Sequence, residues 1–160
     1  MFRKWLSGVY LPVMAFTYVM FLAAGANAAP VENIQITEPR VRAMPPGSPN
    51  TAAYLTIKNL GKSDIALVKA DSPVAESVML HDNVKKNGKM SMVHQHSVTI
   101  PAGKRVKFKP GGLHIMIMGL NKNLTIGEMV PLELHFSNGK VLNVKAPVKK
   151  QVTEKGNLSG

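Results

Sequence analysis

The chain has 160 residues, 45% hydrophobic and 18% charged, which suits one globular domain with a sizeable core and argues against wholesale disorder. Its formal charge is +11, from 20 Lys+Arg against 9 Asp+Glu, so it favours acidic or anionic partners. Cysteine is absent while methionine occurs ten times, which excludes disulfides, thiolate zinc sites, thiol nucleophiles and c-type haem attachment.

Arg3 and Lys4 precede a mostly apolar run from Trp5 to Ala24 that ends in Ala26-Asn27-Ala28. A basic start, an apolar stretch and a small-x-small end are the parts of a secretory signal, with cleavage expected after Ala28. The run approaches the ~20 residues that span a bilayer, but the Ala-x-Ala end suits processing better than a retained anchor. We therefore expect a signal peptide over 1–28, a folded domain over 29–150 and a flexible polar tail over 151–160. The mature protein would be periplasmic, with no stable membrane span. Export and the lack of any aromatic-interleaved basic stripe argue against nucleic acid as partner.

Strand signals follow. Ile34, Ile36, Val41 and the run Ala53 to Ile57 read as strands, separated by the proline-rich loop Met44 to Pro49. Asn59-Leu60-Gly61 turns the chain towards Ile65–Val68, and Val74 to His81 reads as the next strand. Asn87-Gly88 predicts a type I′ hairpin, with Met90 to His96 as the returning strand. Pro101-Ala102-Gly103 and Pro110-Gly111-Gly112 mark turns around the strand Val106–Phe108, and Leu113 to Met118 forms another. Glu133 to Phe136 and Val141 to Val144 flank Asn138-Gly139, a second hairpin. No long helical periodicity intervenes, so the expected fold is an all-β antiparallel sandwich or barrel.

Four of the five histidines and most of the methionines outside the leader lie between Met79 and Met118. Residues two apart in a strand share a face. His114, Met116 and Met118 therefore form one stripe, with Leu113, Ile115 and Ile117 turned to the core. Met90, Met92, His94 and His96 form another stripe. Single methionines are ordinarily core filler, and His135, alone on its strand, is read as incidental. For the paired stripes that reading fails, because the isoleucines already supply the apolar face; His114 and Met116 are expected on the face that need not be buried.

Thioether and imidazole donors together select Cu(I). Zinc prefers thiolate, imidazole or carboxylate, calcium and magnesium need oxygen, and a blue-copper centre needs a cysteine. The absence of thiols also fits an oxidising compartment. On physical grounds Met90, Met92 and Met118 all remain possible sulfur donors. His94 and His96 are expected to be solvent-exposed, with a second ion such as Cu(II) as the alternative.

His81 is followed by ten residues and Met92, then twenty-one residues and His114, then one residue and Met116. This resembles the PCu(A)C family of periplasmic copper chaperones, whose signature is His-x10-Met-x21-His-x-Met; the run from Pro110 to Leu120 is similar to that family's second ligand segment. The resemblance implies a cupredoxin-like Greek-key β-sandwich binding one Cu(I) through His81, Met92, His114 and Met116. It also implies delivery of copper towards the copper subunit of cytochrome c oxidase. Some members carry a Met- and His-rich C-terminal tail; Gln151 to Gly160 contains neither residue, so no such tail function is expected. Met79 matches nothing in the signature. Lys85, Lys86 and Lys89 crowd the hairpin beside the site and are expected to steer docking onto an acidic partner face. No nucleophile with a base and orienter at recognisable spacing is present, so the chain is not read as an enzyme. The competing readings are copper storage or scavenging, and a secreted structural sandwich.

Overall fold

The computed structural model describes residues 33–150, and the expected leader and tail lie outside these residues. Ten strands run in chain order: β1 (Ile34–Arg42), β2 (Asn50–Asn59), β3 (Ile65–Asp71), β4 (Ala75–Lys86), β5 (Lys89–His94), β6 (Val98–Ile100), β7 (Arg105–Phe108), β8 (His114–Leu120), β9 (Met129–Phe136) and β10 (Val141–Lys149). No helix occurs among the described residues. The fold is an all-β, cupredoxin-like sandwich.

One half runs β5-β4-β8-β2-β1, and the other runs β10-β9-β3-β6. They are joined where β1 meets β10 in parallel at Val41↔Val148 and Arg42↔Lys149. All other pairings are antiparallel. The pivot is β2, which pairs with β1 on one side, and with β8 at its start and β7 further along on the other. Strand β2 buries every residue from Thr51 to Ile57, so both of its faces are covered over that stretch. Strand β9, also paired on both edges by β10 and β3, has one face covered and alternates strictly, with Val130, Leu132, Leu134 and Phe136 inward. Leu55, Ile57, Leu67, Ile100, Phe108, Ile115 and Ile117 belong to one core fed by both halves.

Strand β1 is interrupted by a bulge between Thr37 and Arg40, where Glu38 takes a φ of 52°. The extra residue re-aims the strand end so that Val41 and Arg42 reach β10. Asn87 and Gly88 have φ of 52° and 77°, the two positive values a type I′ turn needs. The second Asn-Gly also closes a hairpin, by a different turn. There only Gly139 is positive, at 81°, while its amide donates to the Phe136 carbonyl and the Phe136 amide donates to Lys140. That is the three-residue loop with a glycine bulge.

Several strands differ in extent from the reading of the sequence. Strand β4 continues past His81 to Lys86, because its whole second half pairs with β5. Strand β5 ends at His94, leaving His96 beyond the ladder. The short strand β6 lies just before the Pro101 turn, and β9 and β10 are longer than their apolar centres suggested.

Candidate metal centre

Three adjacent strands, β5, β4 and β8, build the site, and their register fixes which side chains meet. His81 on β4 is the direct cross-strand partner of His94 on β5 and of His114 on β8. One alternation step either way along β4, Asn83 faces Met92 and Met79 faces Met116. Directly paired residues share a face, so His81, Met92, His114 and Met116 project from the same side of one sheet. Met90 and Met118 pair with Lys85 and Ser77. Each partner is four residues from His81, roughly 13 Å along the strand. The register thus favours Met92 and Met116 over the two flanking sulfurs.

The His81 and His114 rings are stacked, with centroids 5.9 Å apart and planes 26° apart. Nδ1 of His114 lies 2.9 Å from the Gly112 carbonyl oxygen. A carbonyl can only accept, so Nδ1 carries the proton and Nε2 keeps its lone pair for a ligand. This is how an outer hydrogen bond orients a metal-binding imidazole. The loop that supplies this carbonyl is shaped by Gly111, whose φ of 78° is the left-handed conformation glycine adopts freely. It is closed by Gly112 donating to Lys109 and by Lys109 donating to Leu113.

His81 presents the opposite case. Its Nδ1 is sealed from solvent and has no hydrogen-bond partner. A buried, unpartnered polar atom is costly and asks for an explanation, and a soft cation on that nitrogen would supply one. Burial, and then the neighbouring His114 and His94 rings, hold the His81 pKa below the ordinary histidine range. At neutral pH the ring is therefore uncharged, as a metal ligand must be. The sign of the stability effect follows. Because the folded-state value lies below the unfolded one of about 6.5, the stability tied to neutral His81 is present above that pH. It is lost as pH falls through the folded value. We expect melts of the metal-free protein to show a Tm that declines from pH 7 into the acid range, and His81→Gln to flatten part of that decline. An unchanged pH profile in the variant would contradict this account.

A concavity of about 310 Å³ opens beside the donors, lined by Asn83, Met92, His114 and Met116 together with Met44 and Tyr54 from the β1–β2 side. The Tyr54 ring carries the Arg40 guanidinium 5.3 Å from its centroid, a cation–π contact that ties β1 to β2 beside the site. Met92 is 54% exposed, so this sulfur is open to solvent. Among the described residues no three His, Cys, Asp or Glu side chains converge as a metal site. The donors that line the concavity beside His81 are the His114 imidazole and the Met92 and Met116 thioethers, and that mixture points to Cu(I).

One position differs from expectation. His114 is buried, at 6% exposed, rather than on a free face; it sits in the interior row of the sheet, between β4 and β2. His135 is half-buried, with Nε2 3.1 Å from Asp71 and 3.8 Å from Glu133, beyond good hydrogen-bond alignment. It lies in the other half of the sandwich, paired with Lys69 and Val141, away from the candidate donors. The sequence also passed over Met79, which parity with His81 places on the donor face.

Known proteins share this chain's family and fold. A family model described as "LpqE-like: Putative lipoprotein LpqE-like" matches residues 34–148. "Putative lipoprotein Lxx21020" of Leifsonia xyli subsp. xyli is 40% identical over 119 residues, covering 74% of this chain and 70% of that protein. The solution structure of CuI-DR1885 from Deinococcus radiodurans is 39% identical with a TM-score of 0.58, covering 81% of this chain and 85% of that one. Its apo form is 32% identical with a TM-score of 0.61, covering 95% of each chain. The copper-bound PCuAC domain from PmoF2 shares the fold at 22% identity, with a TM-score of 0.65, covering 76% of this chain and 96% of that domain. The family match spans nearly all the described residues, and the chain belongs to the LpqE-like family.

Proposed function

We propose that the protein is an exported copper chaperone that holds one Cu(I) tightly through His81, Met92, His114 and Met116. It would pass that ion to the copper subunit of cytochrome c oxidase. The observation that carries the reading is the pair of histidines on the donor face. One has its Nε2 freed by a hydrogen bond at Nδ1, and the other has a buried nitrogen with no partner. Two neutral imidazoles flanked by thioethers would stabilise the monovalent ion without a compensating carboxylate. DR1885, a relative of similar fold, has been described in a Cu(I) form.

Transfer is the natural chemistry of such a site. The exposed Met92 would be the first donor released to an incoming ligand, while His114, held by the Gly112 carbonyl, keeps the ion oriented. Lys85, Lys86 and Lys89 are exposed on the β4–β5 hairpin next to Met92, where they would draw an acidic partner face towards the open sulfur. Export rests on the leader expected over 1–28, which would leave 29–150 as the copper-binding domain, and on relatives named as lipoproteins. None of the 160 residues is a cysteine, so these residues hold no thiol to which a lipid could be linked through a thioether. Among the described residues no helix is long and apolar enough to cross a membrane.

The test is a Cu(I) titration against a chromogenic chelator, followed by mixing the loaded protein with the apo copper domain of the oxidase. One tightly held ion, weakened in Met92→Leu and transferred on mixing, supports the proposal. Tight binding without transfer supports storage or scavenging instead. Weak binding indifferent to Met92 would leave a structural sandwich.

A further inference from the structure

A second set of metal donors lies on the other flank of His81. Past the end of β5 the chain does not leave β4 at once, because the Gln95 amide donates to the Leu80 carbonyl at 2.8 Å. That bond carries the register one step beyond His81↔His94 and brings His96 alongside Met79. Met79, His94 and His96 line a separate concavity of about 230 Å³, with Leu80 and Ala70 among its apolar walls. The His94 and His96 rings are 5.0 Å apart between centroids and nearly perpendicular, at 87°. All three side chains are exposed, and Met79 is 39% exposed despite its apolar character. The four-residue signature uses none of them.

We propose that Met79, His94 and His96 form a second, weaker copper site. Two imidazoles and one thioether repeat the donor chemistry of the first site with one ligand fewer. The thioether selects Cu(I) over zinc. The only charged side chain lining the concavity is Lys69, which is already paired with Asp71 at 2.7 Å. With no carboxylate lining it, the concavity favours a monovalent over a divalent ion. His94 is also 5.5 Å from His81, edge to face. The second site therefore adjoins the first through neighbouring imidazoles, on the open edge of the sheet.

The inference takes the identity of the ion from the proposed function, and its test separates the two. Cu(I) is titrated into the full protein against chelators of graded strength, with histidine ring signals followed by NMR. The expected result is two ions per chain. The first shifts the His81 and His114 rings, and the second, weaker ion shifts those of His94 and His96. The double variant His94→Ala/His96→Ala should bind one ion only, the one that shifts the His81 and His114 rings. Met79→Leu, which preserves volume, should weaken the second ion by about 10-fold or more. One ion in the wild-type protein, or a second ion that survives the double variant or is indifferent to Met79→Leu, overturns the proposal. No tight ion at all would instead overturn the chaperone reading. The three positions are exposed, so the variants are expected to fold, and the wild-type ring shifts decide the question even if one does not.

Discussion

His114→Ala is expected to lower the affinity for the proposed tight Cu(I) ion by more than about 100-fold. Changes to groups that merely orient a ligand cost about 10–100-fold, and His114 is proposed as the ligand itself, so its loss exceeds that range. The position is also the least replaceable of the quartet. His114 is buried, its proton is fixed by the Gly112 carbonyl, and its ring stacks on His81. Water can enter beside Met92, which is half-exposed, but cannot easily supply a substitute donor in the interior row. The cavity left by alanine will also lower the melting temperature of the metal-free protein, so the melt is measured alongside. An affinity loss that persists at temperatures where the variant is fully folded belongs to the ligand. Met90→Leu and Met118→Leu, whose partners lie two alternation steps from His81, serve as controls and should leave the tight ion within about two-fold. His114→Ala with unimpaired Cu(I) binding would remove the proposed site.

Much of this arrangement was legible in the sequence because two simple periodicities carry it. Parity along β8 placed Ile115 and Ile117 in the core and His114 and Met116 on the opposite face, and both isoleucines are fully buried. The Asn87-Gly88 turn fixed the hairpin that sets Met92 across from Asn83. What parity could not give is which strands lie side by side. His114 looked free because its own strand left it free; the neighbours β4 and β2, far away in the chain, bury it. Met79 is set aside in the sequence because it matches nothing in the signature. Its place beside His96 depends on the β4–β5 register running one bond past the end of the strand, through Gln95 and Leu80. His96 was assigned to the returning strand, since nothing local marks the ladder's end at His94. In the sequence the choice of Met92 over Met90 rests on the resemblance to the PCu(A)C signature, and the pairing of each with β4 adds a physical reason.

The other large effect falls far from any donor atom. Phe108→Ala is expected to destabilise the protein by about 3–5 kcal/mol, the usual range for emptying a buried aromatic position. Phe108 is 1% exposed and is among the largest fully buried side chains. It sits at the end of β7, paired with Leu55 on the central strand β2. Against a total stability of about 5–15 kcal/mol for a domain of this kind, such a loss should lower Tm by on the order of 10–20 °C. The consequence reaches the metal centre, because Lys109 to Gly112, which follow Phe108 directly, form the loop whose carbonyl orients His114. With Phe108 gone, that loop loses its anchor on the core side. Cu(I) affinity should fall as well, by less than for His114→Ala, since every donor is still present. Bound copper should in turn restore part of the lost Tm, because an ion that binds only the folded state stabilises it. Calorimetry of the metal-free and loaded variant measures both effects. A Tm within about 3 °C of wild type would show that β7 is not part of the core that holds the site. A large drop that copper does not relieve would show that the loop and the ion are not coupled.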